Sequence, residues 1–207
     1  MKITIIVFAG DCLLQNGANS AVGLFVIQLA KEWGIKTVNV IRARPDPKDT
    51  DKLKAELIDY GADFVVTDQD LRQKEVMNQI WSKGAPKPKL ALDCVGGKMA
   101  NDCISYLDFK GTMVIYGSMS RQPLVLPTGP FIFKDLRFYS FWLTRWRNDK
   151  SKTHDLHNMI KELSSLMKSR KLRLPKVIPF DLADYKNAFD ALNSEFSRGK
   201  VIFTMKD

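Results

Sequence analysis

Apolar and polar positions change their period again and again along this chain. Leu13-Leu14-Gln15 is a short apolar run that ends in small and polar residues, Asn16-Gly17-Ala18-Asn19-Ser20-Ala21. Val22, Leu24, Phe25, Val26, Ile27, Leu29, Ala30 and Trp33 then recur at helical spacing. A short apolar run bounded by turn signals reads as a strand, and a spacing of about 3.6 puts side chains on one helix face. The pattern predicts strands over 12–16, 36–41, 63–67, 89–93 and 111–116, with helices over 20–33, 49–60, 70–82 and 97–107 between them. Tyr60-Gly61 places glycine where helices commonly stop. Strands that alternate with helices imply a parallel sheet covered on both faces. Right-handed crossovers make it doubly wound, the Rossmann arrangement of the α/β class.

The pattern loosens after Tyr116. Pro123, Pro127, Gly129 and Pro130 interrupt it, Phe131-Ile132-Phe133 reads as a short helix, and Leu136–Leu143 as a sixth strand. A polar stretch, Arg147–Thr153, precedes an amphipathic helix over 154–169. The tail alternates again: a strand over 176–180, a helix over 184–193 with Asp181 as its candidate cap, and a strand over 200–205. The Rossmann domain is assigned to 11–170 and a separate closing segment to 171–207, with 1–10 unassigned.

The first strand–turn–helix is the leading candidate site. A helix N-terminus leaves backbone N–H groups and the positive end of the helix dipole facing outward, where a phosphate can sit. Aligned on its last glycine, the G-x-G-x-x-G fingerprint reads Ala18-Asn19-Ser20-Ala21-Val22-Gly23, so Gly23 alone is kept. Asn19 or Ser20 is the N-cap candidate, and Ser20 can bond a phosphate oxygen. A plain strand–turn–helix would look the same, so the next strand must decide. NAD sites carry Asp or Glu after it. Arg42-Ala43-Arg44-Pro45 stands there instead. Two guanidiniums suit a 2′-phosphate and favour NADPH, the competing reading being a solvated basic turn.

Ligands in this fold bind beyond the carboxyl ends of the strands. Asp93-Cys94-Val95-Gly96-Gly97 and Tyr116-Gly117-Ser118-Met119 both follow strands there. Asp93 is expected to cap the following helix. Tyr116 is read as a packing residue, with general acid as the alternative. Phe141-Trp142-Leu143 suits either core packing or a wall beside a nicotinamide.

A length of 207 residues fits one domain plus a piece of another. The net charge of +9 is spread along the chain and suits anionic ligands such as NADPH or a CoA or carrier-protein phosphate. Nucleic acid is the rival, but the interleaved Trp142-Leu143-Thr144-Arg145-Trp146-Arg147 has no RNA-recognition signature beside it. Cys12, Cys94 and Cys103 are scattered and odd in number, which argues for reduced thiols and an intracellular setting. His154 and His157 lie one turn apart without further ligands, so a surface pair is favoured over zinc and no metal is assigned. No apolar run is long enough to span a membrane, and Met1–Phe8 makes a poor signal segment.

Several stretches together resemble the mitochondrial trans-2-enoyl-CoA/acyl-carrier-protein reductases of the medium-chain dehydrogenase/reductase superfamily. They are Gln15–Gly23, Val40–Pro45, Leu92–Lys98, Gly111–Met119, Ile132–Leu136 and Phe141–Leu143. The resemblance covers nearly everything after residue 10. It implies NADPH-dependent reduction of an enoyl-CoA or enoyl-acyl-carrier protein in fatty acid synthesis. It places Asn19, Ser20, Ala21 and Val22 at the pyrophosphate, and Arg42 and Arg44 at the 2′-phosphate. Ala43 stands where the family more usually has an acidic residue. Tyr116, Gly117, Ser118 and Met119, with Phe141, Trp142 and Leu143, would line the nicotinamide and acyl side, and Lys200 would reach the cofactor. The resemblance also implies a homodimer joined through the edge strand at Leu136–Leu143, and a mitochondrial setting. This chain carries no transit peptide, so a cytoplasmic form is the alternative. The family's proton-donating tyrosine belongs to an N-terminal catalytic domain that has no counterpart here. No catalytic residue is therefore assigned, and residues 171–207 would belong with that domain. On this view the chain is a reductase by family whose form is inactive alone, or else a non-catalytic module that binds NADPH or a partner protein.

Overall fold

Period-two alternation sorts the central strands. The computed structural model describes residues 7–193 and 199–205. In β1 (Cys12–Gln15) and β2 (Lys36–Ile41), Cys12, Leu14, Val38 and Val40 enter a core shared with Met77, Ile80, Ala100, Cys103 and Ile104. Those residues lie on α3 (Lys74–Ser82) and α4 (Gly97–Tyr106). Ile41 turns the other way, toward Leu24 and Ile27 of α1 (Ala21–Glu32) and Leu57 of α2 (Pro47–Tyr60). Side chains of one strand thus feed two helix layers, as expected of a sheet buried on both faces.

The remaining strands of this sheet are β3 (Phe64–Thr67), β4 (Leu90–Asp93), β5 (Thr112–Ile115) and β6 (Arg137–Ser140). All pair in parallel, in the order β3-β2-β1-β4-β5-β6. The direction of winding reverses between β1 and β4, and the crevice at their carboxyl ends is where such folds take ligands. The doubly wound expectation is met.

Two expectations need correction. The sixth strand is half as long as its apolar stretch suggested. Phe141 still donates its N–H to Ile115 O. The chain then enters a short helix, α6 (Leu143–Asn148), so Phe141–Leu143 lie beyond the sheet. The helix expected over 70–82 breaks at Gln73. Asp70 accepts from Thr67 N while Thr67 Oγ1 accepts from Asp70 N, closing a tight 3-10 turn over Asp70–Arg72 before α3 begins. The polar stretch 147–153 forms local structure of its own. It carries the end of α6 and a 3-10 turn, Lys150–Lys152, started by the Asp149 carboxylate accepting from Ser151 N. A short helix, α5 (Thr128–Phe133), spans the expected Phe131–Phe133 turn, and α7 (Thr153–Lys168) matches its amphipathic pattern but has no buried residue.

The chain divides into two compact units, Met1–Leu172 and Arg173–Asp207. In the second, β7 (Val177–Asp181) and β8 (Lys200–Thr204) pair in parallel, and α8 (Tyr185–Asn193) lies between them in sequence. Asp181 accepts from Ala183 N and so caps a 3-10 turn ahead of α8 rather than α8 itself. The apolar start, Met1–Ile6, falls outside the described residues.

Candidate functional site at the carboxyl edge of the sheet

Three loops follow β1, β4 and β5 at the switch point. In the first, Ser20 is the N-cap of α1, its Oγ accepting from Gly23 N at 3.1 Å. Ser20 N bonds Gly17 O. Of the four N–H groups that a helix start leaves outside its own ladder, those of Ala21 and Val22 remain at the helix end. They are what a diphosphate would meet there. Gly23 sits where the helix crosses the turn most closely. A Cβ on it would lie 2.4 Å from Ala18 O, so the close approach requires glycine.

The floor under that helix is polar. Gln15 Nε2 donates to Gly23 O at 3.1 Å and to Asn39 Oδ1 at 2.8 Å. Asn39 Nδ2 donates onward to Thr37 Oγ1 and to Phe64 O. Gln15, Asn39 and Thr37 are all fully buried. Each would be costly there without its bonds.

Asn16 and Asp93 join the first loop to the second. Asn16 Nδ2 donates to Asp93 Oδ1 at 2.6 Å, and Asn16 Oδ1 accepts from Cys94 N at 2.9 Å. Asp93 Oδ1 also accepts from Val95 N and Gly96 N. Asp93 was expected to cap α4. It caps the loop before it instead, and the N-cap position of α4 is Gly96, without a side-chain bond. The third loop is tied to the second by Tyr116 N to Asp93 O, Met119 N to Cys94 O and Ser120 N to Val95 O. Gly17 adopts φ +58, and a Cβ there would lie 2.5 Å from Cys94 Sγ, so backbone and thiol pack directly.

The basic turn after β2 is pinned separately. Ala43 N donates to Asp68 Oδ1, Arg44 N to Thr50 Oγ1, and Arg44 Nη1 to Arg42 O. The Arg42 side chain is exposed and that of Arg44 half-buried.

Tyr116 is half-buried, with its hydroxyl beside the Cys94 thiol. Burial, and then the neighbouring Cys94, push its phenol well above the ordinary range. Burial likewise raises the Cys94 thiol, partly offset by Tyr116. Cys12, Cys94 and Cys103 are all buried and unbridged. Ser118 and Met119 are exposed, as are Phe141, Trp142 and Leu143 beyond β6. The core-packing alternative for Phe141–Leu143 therefore fails.

The structure thus gathers Asn19–Val22, Arg42–Arg44, Tyr116–Met119 and Phe141–Leu143 after the carboxyl ends of β1, β2, β5 and β6. Lys200 begins β8 in the second unit. Sequence reasoning flagged the loops but missed Gln15, Asn39 and the Asn16–Asp93 pair. The available signal was a polar residue inside an apolar central strand, as in Leu13-Leu14-Gln15-Asn16 and Val38-Asn39-Val40.

A parallel sheet wound in this order, with a bare helix N-terminus at its switch point, is a Rossmann domain of the kind that holds dinucleotides. The chain belongs to the zinc-binding dehydrogenase family, whose family model matches residues 21–165. It is 41% identical over 197 residues to the human mitochondrial enoyl-[acyl-carrier-protein] reductase, covering 95% of this chain and 51% of that protein. Against the Xenopus tropicalis protein of the same name it is 39% identical, covering 95% and 55%. The chain therefore spans about half the length of the curated relatives it matches. Among solved structures it matches the Etr1p complex with NADP and crotonyl-CoA at 30% identity and TM-score 0.80, covering 97% of this chain and 56% of that one. The mitochondrial 2-enoyl thioester reductase Etr1p/Etr2p heterodimer from Candida tropicalis matches at 30% identity and TM-score 0.79, with the same coverage.

The family description names zinc, but the residues present do not fit that ion. Among the described residues no three His, Cys, Asp or Glu side chains converge on one point. A dinucleotide fits better, because Gly23 lets α1 pack closely on the turn before it and the helix opens its N-terminus onto the crevice.

Proposed function

We propose that this chain binds NADPH and takes part in the reduction of trans-2-enoyl thioesters, carried on CoA or on acyl carrier protein, in mitochondrial fatty acid synthesis. The observation that carries the reading is the Arg42–Arg44 turn. It stands where an NAD site keeps a carboxylate, and its backbone is pinned by Asp68 and Thr50. Ala21 and Val22 offer their N–H groups to the pyrophosphate, with Asn19 and Ser20 beside them. Arg42 and Arg44 hold the 2′-phosphate, and Ala43 keeps the turn between them small. Tyr116–Met119 and Phe141–Leu143 line the nicotinamide and acyl side. When bound, NADPH supplies a hydride to the β-carbon of the enoyl group. The chain's own residues align that end of the cleft and shield it from water. The bundle of likenesses to enoyl thioester reductases supports the substrate class.

The same reading makes the protein a homodimer, its β6 edge paired across a twofold axis. The test is a titration of NADPH and NADH against the chain and against Arg42→Ala/Arg44→Ala, followed by addition of crotonyl-CoA. Each charge-assisted bond to a phosphate contributes about 1.5–3 kcal/mol, so losing two should cost NADPH affinity about a hundredfold or more and leave NADH nearly unchanged. Equal affinity for both cofactors in the unmutated chain overturns the reading. NADPH binding without thioester-dependent oxidation favours the non-catalytic module instead.

A further inference from the structure

The bonds of Asn16 and Asp93 run across loops rather than into the core. Asn16 is 1% exposed and Asp93 fully buried. Asn16 spends its amide N–H on Asp93 and its amide oxygen on Cys94 N, while its backbone N–H goes to Leu92 O. Asp93 Oδ1 gathers three donors, from Asn16, Val95 and Gly96. Backbone bonds from Asp93, Cys94 and Val95 then reach Tyr116, Met119 and Ser120. One side-chain pair therefore sets the spacing of all three loops at the switch point. The other carboxylate oxygen, Asp93 Oδ2, is buried with no partner among the described residues. An orphaned buried acceptor is costly, and such costs persist mainly where geometry is being held for function. The Arg42–Arg44 turn has anchors of its own, Asp68 and Thr50, on the other side of the sheet's switch point.

We infer that Asn16 and Asp93 are positioning residues that hold the nicotinamide end of the cleft in place, independently of the adenosine end. The inference rests on the NADPH reading above. With the clasp cut, the loops after β4 and β5 lose their fixed distance from α1, while the basic turn after β2 keeps its own anchors. A ligand that spans the whole crevice should suffer, and one that occupies the adenosine end should not.

Calorimetric titration of the full chain with NADPH and with adenosine 2′,5′-bisphosphate separates the two ends. Asn16→Leu keeps the branched shape and deletes both side-chain bonds. Asn16→Asp keeps shape and the acceptor for Cys94 N but faces Asp93 with a second carboxylate. In both variants NADPH affinity should fall about ten- to a hundredfold, the range expected when buried partners are left unpaired. Adenosine 2′,5′-bisphosphate should bind within about threefold of the unmutated chain, which also shows that the variant is folded. Equal losses for the two ligands, as a merely structural role would give, overturn the inference, and so does unchanged NADPH affinity. Should the unmutated chain bind neither ligand, the NADPH reading itself fails and the inference falls with it.

Discussion

Replacing Gly23 by alanine adds one methyl group at the tightest point of the site. Two effects oppose each other. Alanine in a helix is favoured over glycine by about 1 kcal/mol. Against this, the new Cβ would lie 2.4 Å from Ala18 O and 2.7 Å from Ala18 C and Cα. All three are backbone atoms, so no side chain can swing away. Restoring ordinary carbon contact near 3.5 Å requires α1 to retreat by about 1 Å. Overpacking of this kind typically costs about 1–3 kcal/mol. The same retreat stretches the 3.1 Å bond from Gln15 Nε2 to Gly23 O past bonding distance. A buried polar group left without its partner costs about 1–3 kcal/mol more. The clash wins, with a net loss of about 1–5 kcal/mol, or roughly 2–20 °C in Tm for a chain of this size. The pyrophosphate-binding end of α1 moves with the helix, and a misplacement of about 1 Å can cost two orders of magnitude in a positioned site. Thermal unfolding and an NADPH titration, run beside Gly129→Ala, make the assay. Gly129 has nothing within 4 Å of a built Cβ and serves as the neutral control. A Gly23→Ala chain that melts at or above the unmutated temperature and binds NADPH equally well refutes the reasoning.

Tyr116→Phe removes a buried hydroxyl whose polar neighbour is the Cys94 thiol, a weak partner, so stability should change by no more than about 1 kcal/mol. Its phenol is pushed upward by burial, so any thioester reduction should persist in the variant, and loss of turnover would identify Tyr116 as the acid. Sedimentation at micromolar concentration should show a dimer, because β6 is the outermost strand of the sheet among the described residues; monomer alone would remove the edge-pairing model.

Much of the first unit was legible because its strands and helices obey single periods. β2 and β5 fall inside the expected stretches, and α2 ends at Tyr60 before Gly61 as its sequence suggests. α6 was not legible, since Leu143-Thr144-Arg145-Trp146-Arg147-Asn148 shows no apolar stripe and its N-cap makes no side-chain bond. The break at Gln73 depends on a reciprocal Thr67–Asp70 bond pair, which spacing alone does not reveal. At the site, the phosphate-facing turn and the two arginines carry local signatures. The Asn16–Asp93 clasp has none, because its two halves lie 77 residues apart and meet only once β1 and β4 are neighbours.

The buried chain Gln15–Asn39–Thr37 also bears on how the protein assembles. Parallel strands pair late, because each crossover must close a long loop before any contact rewards it. Apolar strands such as these would tolerate many wrong alignments. Slipping β2 by a single residue would turn Asn39 onto the face where Val38 and Val40 now meet Met77 and Ile104, with no acceptor or donor to receive it. Gln15 would lose Asn39 in the same step. The three polar side chains therefore penalise a wrong register: a slipped strand forfeits several buried bonds at once, whereas the native alignment closes the chain from Gly23 to Phe64.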